Sequence, residues 1–560
     1  MSSIAQALRL AFAAAGVPAP EILQNCSDRQ EAYDSQRQIF NRRFQFMPAA
    51  IVFCTSAEQV SVVVKFIEAE RLTLRVRSGG HDHEGECSGT DTVLIDFRKM
   101  NNVTIERAAG VARIEPGNVF QKLTTNLAAK DVMIPHGTCA TVGIAGFSLG
   151  GGWGPWTRKH GMCCERVVGA TLVLGDGSIK TITEQDELQQ RGLLWAIKGG
   201  GGFSYGIVTE FVIKTFPLPP LLIKFQVEWN PHAFDDKSLH FFVEGETPTI
   251  KVLTAWERLI ATTDAETNQL IGTNLKISAK PADEGGPFDP RTVAHNCIMY
   301  GYWSGAETGL RRLLDRAFRG TGKYEFKVLG KGGSGLRAKL GLRYGDHLMS
   351  SWDRFSHAEF MAKVPAKFHH LLPLRFRKLA LKGKPLPPDV DNPAPHKITS
   401  RFVDAAGLGP AGHAALLQSL TSPLVLPGNH WLGLFSYITL GAMTGEFYQN
   451  LPPERQAASA FPYKDKLYTI QYQTWWNDEP NDVAHGSDNP VYNRVNRALD
   501  WMEVCRDYAI PNTSGAFISF KDSSVTTQKY FAESYDELVK IKQRDAKDPQ
   551  NHFRSRKTII

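Results

Sequence analysis

Long apolar runs are missing from this 560-residue chain: none approaches the roughly 18 consecutive apolar residues that a membrane-spanning helix needs. Cysteine is scarce and poorly spaced. The eight cysteines (26, 54, 87, 139, 163, 164, 297 and 505) include no CxxC pair, which excludes a zinc signature and a disulfide framework and fits a reducing compartment. Charge of one sign is equally thin. With 64 basic and 57 acidic residues the net charge is +7, and the densest basic stretch, Arg375–Lys384, is interleaved with leucines like a solvated amphipathic face. Neither nucleic acid nor a membrane is expected as a partner. The N-terminal IAQALRLAFAAAG has Arg9 inside its apolar stretch and no basic charge before it. It reads as an amphipathic helix ending at Gly16, not as a signal peptide, and a cytoplasmic location follows.

What is present is glycine, 49 residues of it, in a chain too long for one hydrophobic core. From about 48 to 217 short β-rich runs (AAIVFC, LTLRVRSGG, VLIDF, ATLVLGDG) alternate with glycine turns and helical stretches such as SAEQVSVVVKFIEAE. The spacing is α+β and lacks the regular βαβ repeat of a Rossmann unit. A first domain is expected over 1–217, closing at Phe216-Pro-Leu-Pro-Pro. A second, 218–505, carries longer alternating strands such as LLIKFQVEW and KLYTIQYQTWW, covered by helices. Within it the Gly-, Lys- and Pro-rich stretch 330–396 reads as an insertion. A last segment, 506–560, returns to helix and is expected to rejoin the first domain.

Three glycine sites carry the chemistry. Arg77-Ser-Gly-Gly-His81 ends a strand in a turn whose N–H groups can converge on an anion. His136-Gly-Thr-Cys139-Ala-Thr141-Val142-Gly143, continuing to Gly154, demands backbone lying close against something flat or charged. Lys198-Gly-Gly-Gly-Gly202-Phe-Ser-Tyr-Gly-Ile207-Val208 is the third. None ends in GK[ST] and none supplies GxGxxG at a strand–helix junction, so a large phosphate-bearing ligand is held by neither common nucleotide motif. The cluster His81-Asp-His83-Glu84-Gly-Glu86-Cys87 imitates a metal site, but no complementary pair stands at ligand spacing. Asp82, His83 and Glu84 read as exposed loop residues, and no metal is expected.

Taken in order, RSGGHDHEG, VLIDFRKMNNV, GTCATVGIAGFSLGGGWG, RKHG, LLWAIKGGGGFSYGIVTEF, AFPYKDKLYTIQYQTWW and YFAESYDELVKIKQRDAKDPQNHF resemble the berberine-bridge-like flavoproteins of the vanillyl-alcohol-oxidase superfamily. The resemblance spans about 48–556 and implies the two-domain α+β fold of that superfamily. It implies FAD bound twice, through His81 by an 8α-histidyl bond and through Cys139 by a 6-S-cysteinyl bond. Imidazole and thiolate are suitable nucleophiles for the electrophilic ring positions of an oxidised flavin. It further implies that Arg77, Ser78, Gly79 and Gly80, then Thr141, Val142, Gly143, Gly146 and Gly150, then Gly202, Ile207, Val208 and Asn551 line the cofactor. Valine at 142, where family dehydrogenases carry isoleucine, leaves room for O₂ and leans toward an oxidase making H₂O₂.

On the substrate side, strand alternation places Thr469, Gln471 and Gln473 on one face and Tyr468, Ile470 and Tyr472 on the other. The resemblance implies that Thr469 and Gln471 line the pocket, Thr469 replacing the usual lysine. Trp475 and Trp476 read either as stacking platforms or as core. The tyrosine base of sugar- and monolignol-oxidising members is Phe517 here, so the base must lie elsewhere. Tyr437 is the first candidate and Glu446 the second. The expected activity is hydride removal from a small molecule, at a carbon bearing oxygen or nitrogen. The alternatives are a dehydrogenase or oxidative cyclase on the same fold, and a flavin-loaded binding protein without turnover.

Overall fold

The computed structural model describes residues 3–26, 29–229, 248–281, 289–290, 293–335, 393–424, 434–476 and 490–560. The helix over Ile4–Ala14 is N-capped by the Ser3 hydroxyl, buries Ala5, Leu8 and Phe12, and stops just before Gly16 at φ +65°. Its partner helix, Ala57–Glu70, is capped by Ser56 and buries Val60, Val63, Val64 and Ile67 at helical spacing. Both close over a four-stranded sheet of β1 (Glu21–Leu23), β2 (Ala50–Phe53), β3 (Leu74–Arg77) and β4 (Val93–Asp96), in the order 1-2-4-3.

A second sheet follows: β5 (Val103–Glu106), β6 (Val111–Ile114), then, beyond the two-residue β7 (Val132–Met133), β8 (Val167–Val173), β9 (Ile179–Thr183) and β10 (Ile207–Lys214). Its order is 5-6-10-8-9, and the Gly175–Ser178 turn joins β8 to β9 as the GDG motif foretells. The first domain ends where β11 (Phe216–Pro217) pairs back on β7.

The remaining strands build one antiparallel sheet. These are β12 (Leu222–Trp229), β13 (Leu270–Pro281), β14 (Val293–Trp303), β15 (Glu325–Gly332), β16 (His396–Val403), β17 (Leu434–Ala442), β18 (Tyr468–Trp476) and β19 (Thr513–Ser514), in the order 15-12-14-13-17-18-16-19. The two domains together make an α+β fold. The stretch 330–396 begins inside β15 and ends at the first residue of β16, while 336–392 lies outside the described residues.

Period 2 divides this sheet cleanly. Leu275, Ile277, Met299, Ile438, Ile470 and Tyr472 face the helices Pro248–Ala261, Glu307–Ala317, Gly409–Leu420 and Pro490–Asp507 in one apolar core. The opposite face is polar at its centre and turns toward the first domain. Trp153 of the glycine loop and Arg158 of the following short helix Thr157–His160 clamp it. The Trp153 indole donates to the Ala442 carbonyl at 2.7 Å and packs on Gly441, where any Cβ would collide with it. Arg158, buried, donates to the carbonyls of Leu270, Ile260 and Thr444. After β19 the chain crosses back, and Phe531, Leu538 and Ile541 join the core of the first domain.

The loop after β3 corrects the expectation that its charges are solvated. Glu84 is 1% exposed. Asp82 Oδ1 accepts from the N–H groups of Glu84 and Glu86, folding the loop inward, and Asp82 Oδ2 takes Lys521 at 2.6 Å. Lys397 at the start of β16 lies between Glu84 (2.5 Å) and Asp522 (2.9 Å), and Arg506 holds the other Asp522 oxygen at 2.7 Å. Isolated charges in a short loop look solvent-bound in sequence because their partners lie more than 300 residues away.

Burial alone would push the Asp522 carboxyl up, but Lys397 and Arg506 outweigh it and hold its pKa at about 2. The folded value is below the unfolded one, so this stabilisation is complete above about pH 4 and is lost as pH falls toward 2. Lys397→Met should cost about 3 kcal/mol by removing the cation that Glu84 and Asp522 share, Asp522 keeping Arg506 and Glu84 only the more distant Arg43 and Arg556. Urea denaturation at pH 7 measures that loss, and the gap between variant and wild type should shrink in acid as Asp522 protonates.

Candidate functional site

Beyond β3 the Ser78-Gly79-Gly80-His81 turn forms a concave backbone. Gly80 sits at φ +77°, and among the described residues the N–H groups of Ser78, Gly79, Gly80 and His81 donate to no protein acceptor. Converging N–H groups of this kind suit an anion. Arg77 does not join them, which corrects its expected cofactor role. It is 2% exposed, paired with Asp96 at 2.5 Å, and its other nitrogens are spent on the carbonyls of Gln36, Arg37 and Gln38. The Ser78 hydroxyl is likewise turned away, donating to the Pro116 carbonyl.

The Cys139 loop lies directly against this turn. Gly79 and Gly143 touch so closely that a Cβ on either would overlap the backbone nitrogen of the other. His81 Nε2 is 2.8 Å from the Thr141 hydroxyl, two residues from Cys139, and Phe40 stacks on the imidazole at 3.7 Å. Burial, with His83 adding to it, pushes the His81 pKa down to about 3, so the ring is neutral at pH 7 and keeps a nitrogen lone pair. Val142 is half-buried beside the core of the first domain. Gly146 faces open space, whereas Gly150 is closed over by the Ser519 hydroxyl. A concave backbone with unspent donors, a neutral histidine, a nearby cysteine and an open glycine fit an elongated phosphate-bearing cofactor with a reactive ring.

The third glycine run docks on the second: Gly201 N–H donates to the Leu149 carbonyl, and a Cβ on Gly202 would rest on the Leu149 side chain. Ile207 and Val208 are buried in β10. Asn551 adopts φ +53°, and its side chain accepts from Lys542 at 2.5 Å, so that oxygen is committed within the C-terminal segment.

On the sheet, cross-strand register sorts the substrate-side residues into levels. Asn274, Gly441 and Thr469 share one level; Lys276, Thr439, Gln471 and Ser400 share the next; Tyr437, Gln473 and Ile398 share a third. Thr469 is 1% exposed, and its hydroxyl and the Trp153 ring both close on Gly441. Gln473 is fully engaged by Tyr437, Thr439 and Trp475, while the Gln471 amide bonds no other described side chain. Phe517 packs edge-on against Phe461 and Phe520 in an apolar cluster. Glu446 opens the short helix Glu446–Gln449, which packs on Thr157–His160, and no described contact links it to Gln471 or His81.

Sequence reasoning missed Phe40, Asn41 and His396. His83 Nδ1 is 2.8 Å from His396 Nε2, His396 stacks on Trp475 at 3.9 Å, and Asn41 bonds both histidine backbones. Trp475 is therefore a packing element behind the site. The alternating pattern of HKITSRFV was the available signal for β16, and the adjoining proline-rich stretch obscured it.

The family model described as "FAD binding domain" matches residues 48–183, and the one described as "Berberine and berberine like" matches 516–560. Berberine bridge enzyme-like 3 of Arabidopsis thaliana is 25% identical over 531 residues, 91% of this chain and 83% of its own length. Among solved structures, Physcomitrella patens BBE-like 1 superposes with a TM-score of 0.69 at 22% identity, covering 99% of both chains. Glucooligosaccharide oxidase from Acremonium strictum, which carries a 6-S-cysteinyl, 8α-N1-histidyl FAD, gives 0.69 at 19% identity over 99% of this chain and 98% of that one. With an FAD binding domain at 48–183, a berberine-like segment at 516–560 and relatives matched along almost its whole length, the chain is similar throughout to the berberine bridge enzyme-like proteins, and its fold is that of the solved FAD-binding neighbours.

Proposed function

We propose that the protein is an oxidase whose FAD is joined covalently to His81 and Cys139. The observation that carries this reading is the 2.8 Å bond between His81 Nε2 and Thr141, which brings the histidine turn and the cysteine loop to one place. The bond occupies Nε2 and leaves Nδ1 of a neutral ring for the flavin. When bound, FAD supplies a two-electron acceptor for hydride and passes those electrons to O₂, giving H₂O₂. The protein's share is binding, orientation and proton handling. The Ser78–His81 backbone holds the pyrophosphate, and Gln471 orients a substrate hydroxyl or amine. Tyr437, on the adjacent level of the same face, is the base. The tyrosine-dependent chemistry of the sugar-oxidising members is disfavoured by Phe517 among its phenylalanines. The substrate class is a small molecule with a C–H beside oxygen or nitrogen, matching the polar centre of the sheet.

The purified protein should be yellow, and its flavin should stay with the polypeptide through acid precipitation. His81→Ala and Cys139→Ala should each retain colour through the surviving bond, while the double variant should lose FAD to the supernatant. Heat release of intact FAD from wild type would overturn the double attachment.

Val142→Ile adds one methylene to a half-buried residue of the Cys139 loop. Stopped-flow reoxidation of the reduced protein by O₂ should slow at least tenfold, with anaerobic reduction nearly unchanged. A wild type that reoxidises slowly in air but quickly with quinones would make the chain a dehydrogenase.

A further inference from the structure

The level of the sheet that carries Gln471 also carries a cation. Lys276 in β13 faces Thr439 in β17, and Thr439 faces Gln471 in β18. With strands about 4.8 Å apart, Lys276 stands about 10 Å from Gln471 at the backbone, a gap its long stem partly closes. Its ammonium lies over the Tyr437 ring, 3.9 Å from the centroid. Thr469, at the position where the family resemblance implies a lysine, supplies no charge and is buried.

We propose that Lys276 is a positioning residue that lowers the pKa of Tyr437 and so makes its phenolate available as the base. The proposal rests on the oxidase reading above for its place in the reaction. The substrate O–H or N–H proton passes to the Tyr437 oxygen, while the adjacent C–H leaves as hydride, with both electrons, to the acceptor that the FAD chemistry supplies. The carbon is left doubly bonded to oxygen or nitrogen.

Two features of the surroundings oppose ionisation. Tyr437 is 1% exposed, so a phenolate there is poorly hydrated, and its hydroxyl donates to Gln473 Oε1 at 3.1 Å, which favours the neutral form. The histidines on this side, reached through Phe40 and Trp475, carry no charge at pH 7. Burial lowers His81 to about 3 and His396 well below the usual imidazole value. Among the described residues Lys276 is the cation in contact with the ring, and an opposite charge at about 4–6 Å lowers a pKa by about 1–3 units. Below its pKa the phenol cannot accept a proton, so lowering it carries the rising limb of the pH profile toward neutrality. Each unit is worth about tenfold in active base at pH 7.

The test is a titration of the holoprotein labelled with ¹³Cζ-tyrosine, the resonance missing from Tyr437→Phe identifying Tyr437. Its midpoint should lie at least about one unit below the ordinary value of about 10. It should rise by about a unit or more in Lys276→Met and return in Lys276→Arg; Lys276→Gln replaces the methionine variant should that fail to fold. The pH profile of anaerobic flavin bleaching by glucose, benzyl alcohol or benzylamine should shift by the same amount. A Tyr437 midpoint unmoved by loss of Lys276, or wild-type bleaching by Tyr437→Phe, overturns the proposal. If none of the three bleaches the flavin but the midpoint still moves, the pairing stands and the substrate class is what fails.

Discussion

A buried lysine holds the domains of this protein in register. Lys397, the second residue of β16, lies between Glu84 from the cofactor-side loop and Asp522 from the C-terminal segment. Each partner comes from a different part of the chain, and each would be costly to bury alone. Their common cation makes the three arrivals interdependent. The same loop carries His81 and His83, so the position of the histidine turn depends on a charge placed by the sheet of the other domain. Arg506 and Lys521 extend the network to both sides and leave the loop little freedom to turn outward.

The sheet itself works as a partition. One face is filled by leucine, isoleucine and aromatic side chains under four helices, and supplies the cohesion of the second domain. The other carries a polar centre whose groups are satisfied within the layer: Thr439 accepts from Gln473, Ser400 accepts from the Phe517 N–H, and Lys276 lies over the Tyr437 ring. It is turned toward the glycine loops, whose missing side chains leave space for a cofactor. Trp153 and Arg158 fix the distance between the layers by bonding backbone carbonyls at the ends of the strands, which leaves the central level for chemistry.

Much of this was legible from residue order. The first helix and its stop at Gly16, the helix over Ala57–Glu70, the GDG turn and the alternation in β18 all follow from local periodicity and turn chemistry, and the structure repeats them. The glycine runs announced a phosphate-bearing ligand because glycine's freedom at positive φ is a property of the single residue. Asp82, His83 and Glu84 were misleading for the opposite reason: a charge advertises its need for a partner but not where that partner stands.

The sequence by itself determined the element types and the glycine cradle, and its resemblance to the berberine-bridge-like proteins singled out His81, Cys139 and Phe517. Those are encoded in short spacings and in the chemistry of individual side chains. Only the tertiary structure decided that the Arg77 side chain pairs with Asp96, that Thr469 lies buried while the Gln471 amide bonds no other described side chain, and that Lys276 meets Tyr437. Each of these depends on strand order and register among segments tens to hundreds of residues apart. A shift of one residue in register would send every one of those side chains to the other face.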